Sequence, residues 1–249
     1  MQFITGESAL FFEEEKMLVI ADLHIGIEYE FYRSGIKLPS QTEKMLERLE
    51  KLLRQTKTER LLLLGDIKHK VPGSSFQEER EIPYFLNHLK RLNQGIKVEI
   101  VPGNHDPGIE NYLPKNVKLH GNKGIAIGDI YLTHGHTWPD KSMLKAKKIV
   151  SGHSHSQFEF RNKLGYRWTE PVWLRASVDK KKIESHYKQK PKADMEIIIV
   201  PPFNKLSGGY PINKERNDEK YKEFLGPVAK LISRKKKLYL LDGTFLGEF

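Results

Sequence analysis

Val98-Glu99-Ile100-Val101-Pro102-Gly103-Asn104-His105-Asp106 is the stretch on which the fold turns. A compact, mostly apolar run reads as a buried strand. It stops at a Pro-Gly turn and delivers three polar side chains together. The same grammar recurs four times. Met17–Ala21 leads into Asp22-Leu23-His24, Leu61–Leu64 into Gly65-Asp66, Ile130–Thr133 into His134-Gly135-His136, and Lys148–Val150 into Ser151-Gly152-His153-Ser154-His155. In open α/β sheets, ligands bind beyond the carboxyl ends of strands. Five strand ends carrying Asp, His and Asn therefore predict one metal-lined crevice.

Helical signals lie between these runs. Pro39-Ser40-Gln41-Thr42-Glu43 reads as a capping box with Ser40 as N-cap. Met45, Leu46, Leu49, Leu52 and Leu53 then recur at helical spacing. A second helix is predicted over Glu81–Asn93, with Phe85, Leu86, Leu89 and Leu92 facing inward and Gly95 closing it. Strand and helix alternate to about residue 105. Beyond it, Gly124–Ile127, Phe158–Phe160, Val172–Val178, Glu196–Val200 and Lys237–Leu241 read as short strands. An α/β architecture on two packed sheets accounts for this order. No repeat or low-complexity linker breaks the chain, so residues 1–249 are expected to form a single domain.

Composition narrows the class. With 249 residues, 38% hydrophobic and 30% charged, the chain can bury a core and keep an ionised surface, which excludes disorder. It contains no cysteine, so a disulfide framework is excluded and a cytoplasmic location is expected. No apolar run approaches the roughly 18 residues of a membrane span, and nothing at the N-terminus reads as a signal peptide. The net charge of +10 is uneven. Residues 1–120 carry 17 Lys+Arg against 18 Asp+Glu, and residues 121–249 carry 25 against 14. Such excess attracts polyanions, nucleic acid or phosphorylated substrates. The plainer reading is a solvated, lysine-rich surface. The runs Lys180–Lys182 and Arg234–Lys237 matter for binding only if they line one groove.

The residue types fit a particular chemistry. Imidazole and carboxylate suit manganese, iron, nickel or zinc, while the lack of thiolates argues against a structural zinc site. Two ions need a shared anionic bridge, which an Asp can supply. Glycines 65, 103, 135 and 152 let backbone come close to such a cluster.

The ordered set Asp22-x-His24, Gly65-Asp66, Gly103-Asn104-His105-Asp106, His134 and Gly152-His153-x-His155 resembles the calcineurin-like metallophosphoesterase superfamily over roughly residues 17–155. Within it, the chain is similar to small archaeal phosphoesterases related to the repair exonuclease branch and to DNA-ligase-associated phosphoesterases. Pro201-Pro202-Phe203-Asn204-Lys205-Leu206-Ser207-Gly208-Gly209 is similar to a segment of those groups. The resemblance implies a four-layered αββα sandwich with two divalent ions, manganese first and nickel, iron or zinc as alternatives. It implies Asp22, His24 and His155 on one ion, Asn104, His134 and His153 on the other, and Asp66 between them. A bridging hydroxide would attack phosphorus in line. His105 is implied as a catalytic histidine outside the ligand set, protonating the leaving oxygen, with Asp106 orienting its ring.

His69 and His136 are candidate substrate-binding residues, and Lys68 sits where a phosphate could meet a cation. Val71–Phe76 reads as a flexible loop and candidate lid. Trp138 and Tyr210 are candidate base-stacking residues, core packing being the alternative. Together these readings give a phosphodiesterase acting on nucleotides or nucleic acid, with no membrane partner and a homo-oligomer left open. The alternatives are a broad phosphomonoesterase and a non-catalytic metal- or nucleic-acid-binding scaffold.

Overall fold

Leu61 to Leu64 show how the layers are assembled. All four are buried, and side chains alternate between the faces of a strand. Leu61 and Leu63 join Leu49, Leu52, Phe85 and Leu89 in one apolar cluster. Leu62 and Leu64 join Val19, Leu132, Val150 and Trp173 in a second. A third gathers Ile149, Leu174, Ile197 and Ile199 against Ile183, Tyr187 and Val228. Three apolar clusters in series separate four layers, in the order helix, sheet, sheet, helix. This is the αββα sandwich that the resemblance implied, built on the two packed sheets read from the sequence.

The structure, a computed structural model, describes residues 1–214 and 225–249. The first sheet is ordered β1-β2-β3-β4-β5-β6, from β1 (Gln2–Phe3), β2 (Leu10–Phe12), β3 (Met17–Ile20), β4 (Arg60–Leu64), β5 (Lys97–Val101) and β6 (Lys118–Leu119). Its connections carry α1 (Glu28–Arg33), α2 (Thr42–Thr56) and α3 (Phe76–Leu92). The second sheet follows the path β14-β13-β11-β12-β9-β8-β7, with β10 paired to β11. Its strands are β7 (Ile125–Ile127), β8 (Ile130–Thr133), β9 (Lys148–Ser151), β10 (Gln157–Arg161), β11 (Arg167–Val178), β12 (Glu196–Ile199), β13 (Ile232–Leu240) and β14 (Phe245–Glu248). Helices α4 (Lys180–Tyr187) and α5 (Gly226–Lys230) cover it. β3 to β6 run parallel, as do β8, β9 and β12. Register pairs Ile20 with Leu63 and Leu64 with Val101, and Thr133 with Ser151. The carboxyl ends of these strands are therefore level within each sheet.

Several local expectations are corrected. Helix α2 starts at Thr42 with Gln41 as N-cap and no side-chain cap. The Ser40 hydroxyl accepts from Thr42 N–H at 3.2 Å and donates to Glu81 on α3 at 2.8 Å, and no hydrogen bond of Glu43 back to Ser40 completes a box among the described residues. Helix α3 starts five residues earlier than its apolar stripe suggested and passes through Pro83. The capping box belongs here, with Ser75 and Glu78. Helix α4 was not foreseen. Asp179 caps it, so Lys180–Lys182 form its first turn.

The loop before α3 is fastened at both ends. Lys68 is buried, and its ammonium donates to the carbonyls of Lys70 and Gly73 at 2.7 Å each. That cation is committed to the loop and not offered to phosphate. Glu78 is fully buried and accepts from the backbone N–H groups of His69 at 2.7 Å, Lys70 at 2.6 Å and Ser75. The flexible lid expected over Val71–Phe76 is thus a tethered turn. Removing the carboxylate strands three donors. Glu78→Ala is expected to destabilise the protein by about 2–4 kcal/mol, and Glu78→Gln by less because one acceptor survives. Equilibrium denaturation of both variants checks this order.

Candidate metal centre

The chain reverses abruptly where each strand reaches the crevice. Asp22, His24, Asp66, His153 and His155 all have φ between 37° and 68°, the left-handed region that residues other than glycine seldom adopt. Three other described non-glycine residues share it. Lys57 and Lys188 close helices, and Lys16 lies in the β2–β3 turn. The remaining five are candidate ligands. Each such conformation costs on the order of 1–3 kcal/mol, and strain of this kind gathers at functional sites. Hydrogen bonds hold it in place: Asp22 N–H to the Gly65 carbonyl at 3.1 Å, and His24 N–H to the Asp66 carbonyl at 2.8 Å.

Two ligand groups form. One contains Asp22, His24, Asp66 and His155, the other Asp66, His134 and His153, and within each group the donor atoms all lie within 4.8 Å of one another. Asp66 belongs to both. The ring tautomers suit ligation. His134 Nδ1 donates to the Leu64 carbonyl at 2.9 Å, and His155 Nδ1 to the Gly208 carbonyl at 2.8 Å. A carbonyl only accepts, so Nε2 of each ring is left for the crevice. His134 Nε2 lies 3.3 Å from Asp66 Oδ2 and 3.3 Å from Asn104 Oδ1. His24 Nε2 and His155 Nε2 stand 3.1 Å apart, a separation suited to two nitrogens about 2.0–2.1 Å from one ion. The residues present fit a pair of divalent cations.

Electrostatics point the same way. Burial opposes ionisation of Asp66, yet His134 and then His24 hold its carboxyl well below the usual range. Burial likewise opposes charge on His134, but Asp66 overrides it and pushes the ring up to about 10. His153 is lowered to about 3 and His136 to about 4, in both cases by burial and then by His134.

His105 and His69 sit together with His24 in a third group of convergent donors. His105 Nδ1 donates to the His69 carbonyl, and its N–H bonds Asp66 Oδ1 at 2.9 Å. The His69 ring reaches Glu30 on α1 at 3.0 Å. His136 lies on the opposite flank, its ring 5.3 Å from that of His134 and 6.1 Å from that of His153. Asp106 does not orient His105. Its carboxylate is turned into the backbone and accepts from Gly103 N–H at 2.7 Å, Ile67 at 2.8 Å and Lys68 at 3.2 Å. Burial, then repulsion from Asp66, raises its pKa to about 6. The His69 carbonyl performs the orienting role instead.

Some supporting residues were missed. Asn204 lies in the stretch Pro201–Gly209, which carried a family likeness but no role. Its amide donates to the Leu23 carbonyl at 2.9 Å and the His24 carbonyl at 3.4 Å. Phe203 N–H bonds the Ala21 carbonyl at 2.8 Å, and the Gly208 carbonyl fixes His155. This segment straps the Asp22–His24 turn to the His155 ring. Gly103 admits no side chain, because a Cβ there would overlap Asp66 Oδ1.

The family model for calcineurin-like phosphoesterases matches residues 15–198. The chain belongs to the calcineurin-like phosphoesterase family. The crystal structure of Pseudomonas putida nuclease MPE superposes with a TM-score of 0.55 at 19% identity, over 96% of this chain and 92% of that one. It shows the same fold. Yfce, a phosphoesterase from E. coli, gives 0.40 at 13% identity over 94% and 97%, and Vps29 from Entamoeba histolytica gives 0.31 at 15% over 94% and 97%. Comparison with curated protein sequences finds no match. Among the described residues, no helix is long and apolar enough to cross a membrane.

Groups that orient ligands from behind tune metal affinity by about 10–100-fold. Asn204→Ala is therefore expected to raise the dissociation constant for manganese by roughly that factor while the fold persists. Metal titration calorimetry alongside circular dichroism is the check.

Proposed function

We propose that this protein is a dinuclear, divalent-metal phosphodiesterase acting on nucleotide or nucleic-acid substrates. The observation that carries the reading is Asp66, whose carboxylate belongs to two groups of convergent donors at once. One ion would be held by Asp22, His24 and His155, the other by Asn104, His134 and His153, with Asp66 between them. When bound, the ions supply Lewis acidity and an activated water for in-line attack on phosphorus. The chain's own residues do the rest.

Asp66 neutralises cationic charge while its Oδ1 holds the His105 backbone in place. His105 keeps one proton on the His69 carbonyl through Nδ1, which leaves Nε2 to carry the proton delivered to the leaving oxygen. His69 and His136, on opposite flanks, contact the phosphoryl group or its ester substituents. The Pseudomonas putida neighbour is called a nuclease, and we carry that class over as part of the proposal. The positive second half of the chain supports a polyanionic substrate.

Two substitutions separate holding the metals from using them. Asp66→Ala is expected to lose both ions and all activity. His105→Ala is expected to keep near-normal metal content while the rate falls roughly 10²–10⁴-fold. That loss should shrink for a nitrophenolate leaving group, which scarcely needs a proton. Elemental analysis of the purified variants, with rates on good and poor leaving groups, decides it. If His105→Ala loses metal as fully as Asp66→Ala, His105 is a ligand.

The substrate class has its own test. Chelator-treated protein should be inactive and regain activity with manganese. The restored enzyme should turn over bis(4-nitrophenyl) phosphate faster than 4-nitrophenyl phosphate. The reverse order would favour the phosphomonoesterase alternative.

A further inference from the structure

The cations of the second half are not spread evenly. On the helix side of the second sheet, three concavities of about 660, 650 and 780 Å³ lie in series. The first is lined by Lys123, Lys141 and Lys188, with Thr137 and the Trp138–His186 pair. The second shares Trp138 and His186 and adds Lys181, Lys182 and Lys230. The third shares Lys182 and adds Lys214, Arg234 and Lys236. Trp138 and His186 separate the first two concavities and Lys182 the second and third, so the three are neighbours along one path. Among the described lining residues, Asp140 is the single acid, and of the cations Lys182 pairs with Asp179 and Lys214 with Glu159 just outside the lining.

The first and third concavities each take a wall residue from a segment that also carries a crevice histidine. Thr137 follows His136, and Ser154, which lines the third concavity, lies between His153 and His155. Lys181, Lys230, Arg234 and Lys236 make no ion pair among the described residues. Midway, the rings of Trp138 and His186 stack at 3.6 Å, with His186 exposed, a flat surface of the kind on which a base can stack. The opposite end of the same sheet provides a contrast. There Lys147, Lys148, Lys235 and Lys237 are interspersed with Asp194, Glu196 and Glu248, and Lys235 pairs with Glu248 at 3.1 Å. Lys148 and Glu196 begin β9 and β12, so that surface lies away from the crevice; it shares Arg234 with the third concavity but intersperses its cations with three carboxylates.

We infer that this path is a binding track for single-stranded nucleic acid, which it delivers to the metal centre. A lone phosphate would occupy one concavity. Three in series, with an aromatic platform between them and four cations that make no ion pair among the described residues, match a flexible polyanion whose phosphates repeat and whose bases stack. The inference rests on the diesterase reading above and adds to it the substrate's chemical class and its path.

The test compares two charge-matched variants of the full, metal-loaded chain. The track variant combines Lys181→Ala, Lys230→Ala, Arg234→Ala and Lys236→Ala. The control combines Lys147→Ala, Lys148→Ala, Lys235→Ala and Lys237→Ala. The probe is a labelled phosphorothioate deoxythymidine strand of about 20 nucleotides, longer than a short binding site. The track variant should bind it at least about tenfold more weakly near 0.1 M salt, with the slope of log K against log salt less negative by about 3. The control should stay within about twofold of the parent protein, and a duplex of equal length should lose less than the strand. Both variants should hydrolyse bis(4-nitrophenyl) phosphate like the parent. Unchanged strand binding in the track variant, or an equal loss in the control, overturns the track. An equal loss on duplex overturns the preference for a single strand. A parent protein that binds the strand through these cations yet hydrolyses no diester leaves the track standing and overturns the diesterase reading.

Discussion

A carboxylate buried among imidazoles is the constraint on which the rest of this molecule depends. Asp66 is 2% exposed, and its charge has no water to face. Burial alone would protonate it. His134 at 3.3 Å and His24 at 3.7 Å hold it ionised instead, and the His105 amide occupies the other oxygen. Removing one partner of such a group leaves an uncompensated charge, so the four strand ends that supply these contacts must arrive together. The positions of β3, β4, β5 and β8 follow from that requirement as much as from hydrophobic burial.

The apolar layers supply the rigidity. The cluster between the sheets contains Leu64, Val101, Leu132 and Val150, each one to three residues before a candidate ligand or the turn that presents it. Ligand placement thus inherits the packing of a core that tolerates little adjustment. Asp22 links the sheets directly, its carboxylate accepting from the His153 amide at 3.2 Å. Left-handed backbone at five of the polar residues is the local cost of aiming them inward, and the interlocking hydrogen bonds oppose its relaxation.

Many charged groups near the crevice support it and have no part in the proposed reaction. Lys68 and Glu78 fasten one loop, Asp106 gathers three backbone donors, and Asn204 secures the turn that carries His24. They explain how a basic, polar chain keeps a dense imidazole cluster in order. Lys68, Glu78, Asp106 and Asn204, all buried, are each hydrogen-bonded, as the low dielectric of an interior demands.

By itself the sequence determined the two packed sheets and which polar residues follow their strands. Apolar runs such as Leu61–Leu64 are short, uniformly apolar and followed by turn signals, the pattern of central strands. The polar residues after each run share one location, because ligands to open sheets gather at strand carboxyl ends. Reading failed where a side chain's partner lies far along the chain. Ser40 has the spacing of a cap, but Glu81, distant in sequence, takes its hydroxyl. Asp106 adjoins His105, yet its carboxylate turns back to Gly103, Ile67 and Lys68. Lys68 looks like a free cation until the loop closes over it. Lys181 and Lys182 lie in one basic run and Lys230 far from it in the sequence, yet all three line one groove on the surface. Local spacing specifies which residue types stand together on a strand or helix face. Which atom a hydrogen bond or a charge finally meets is decided by contacts between distant segments, and only the packed structure brings those into range.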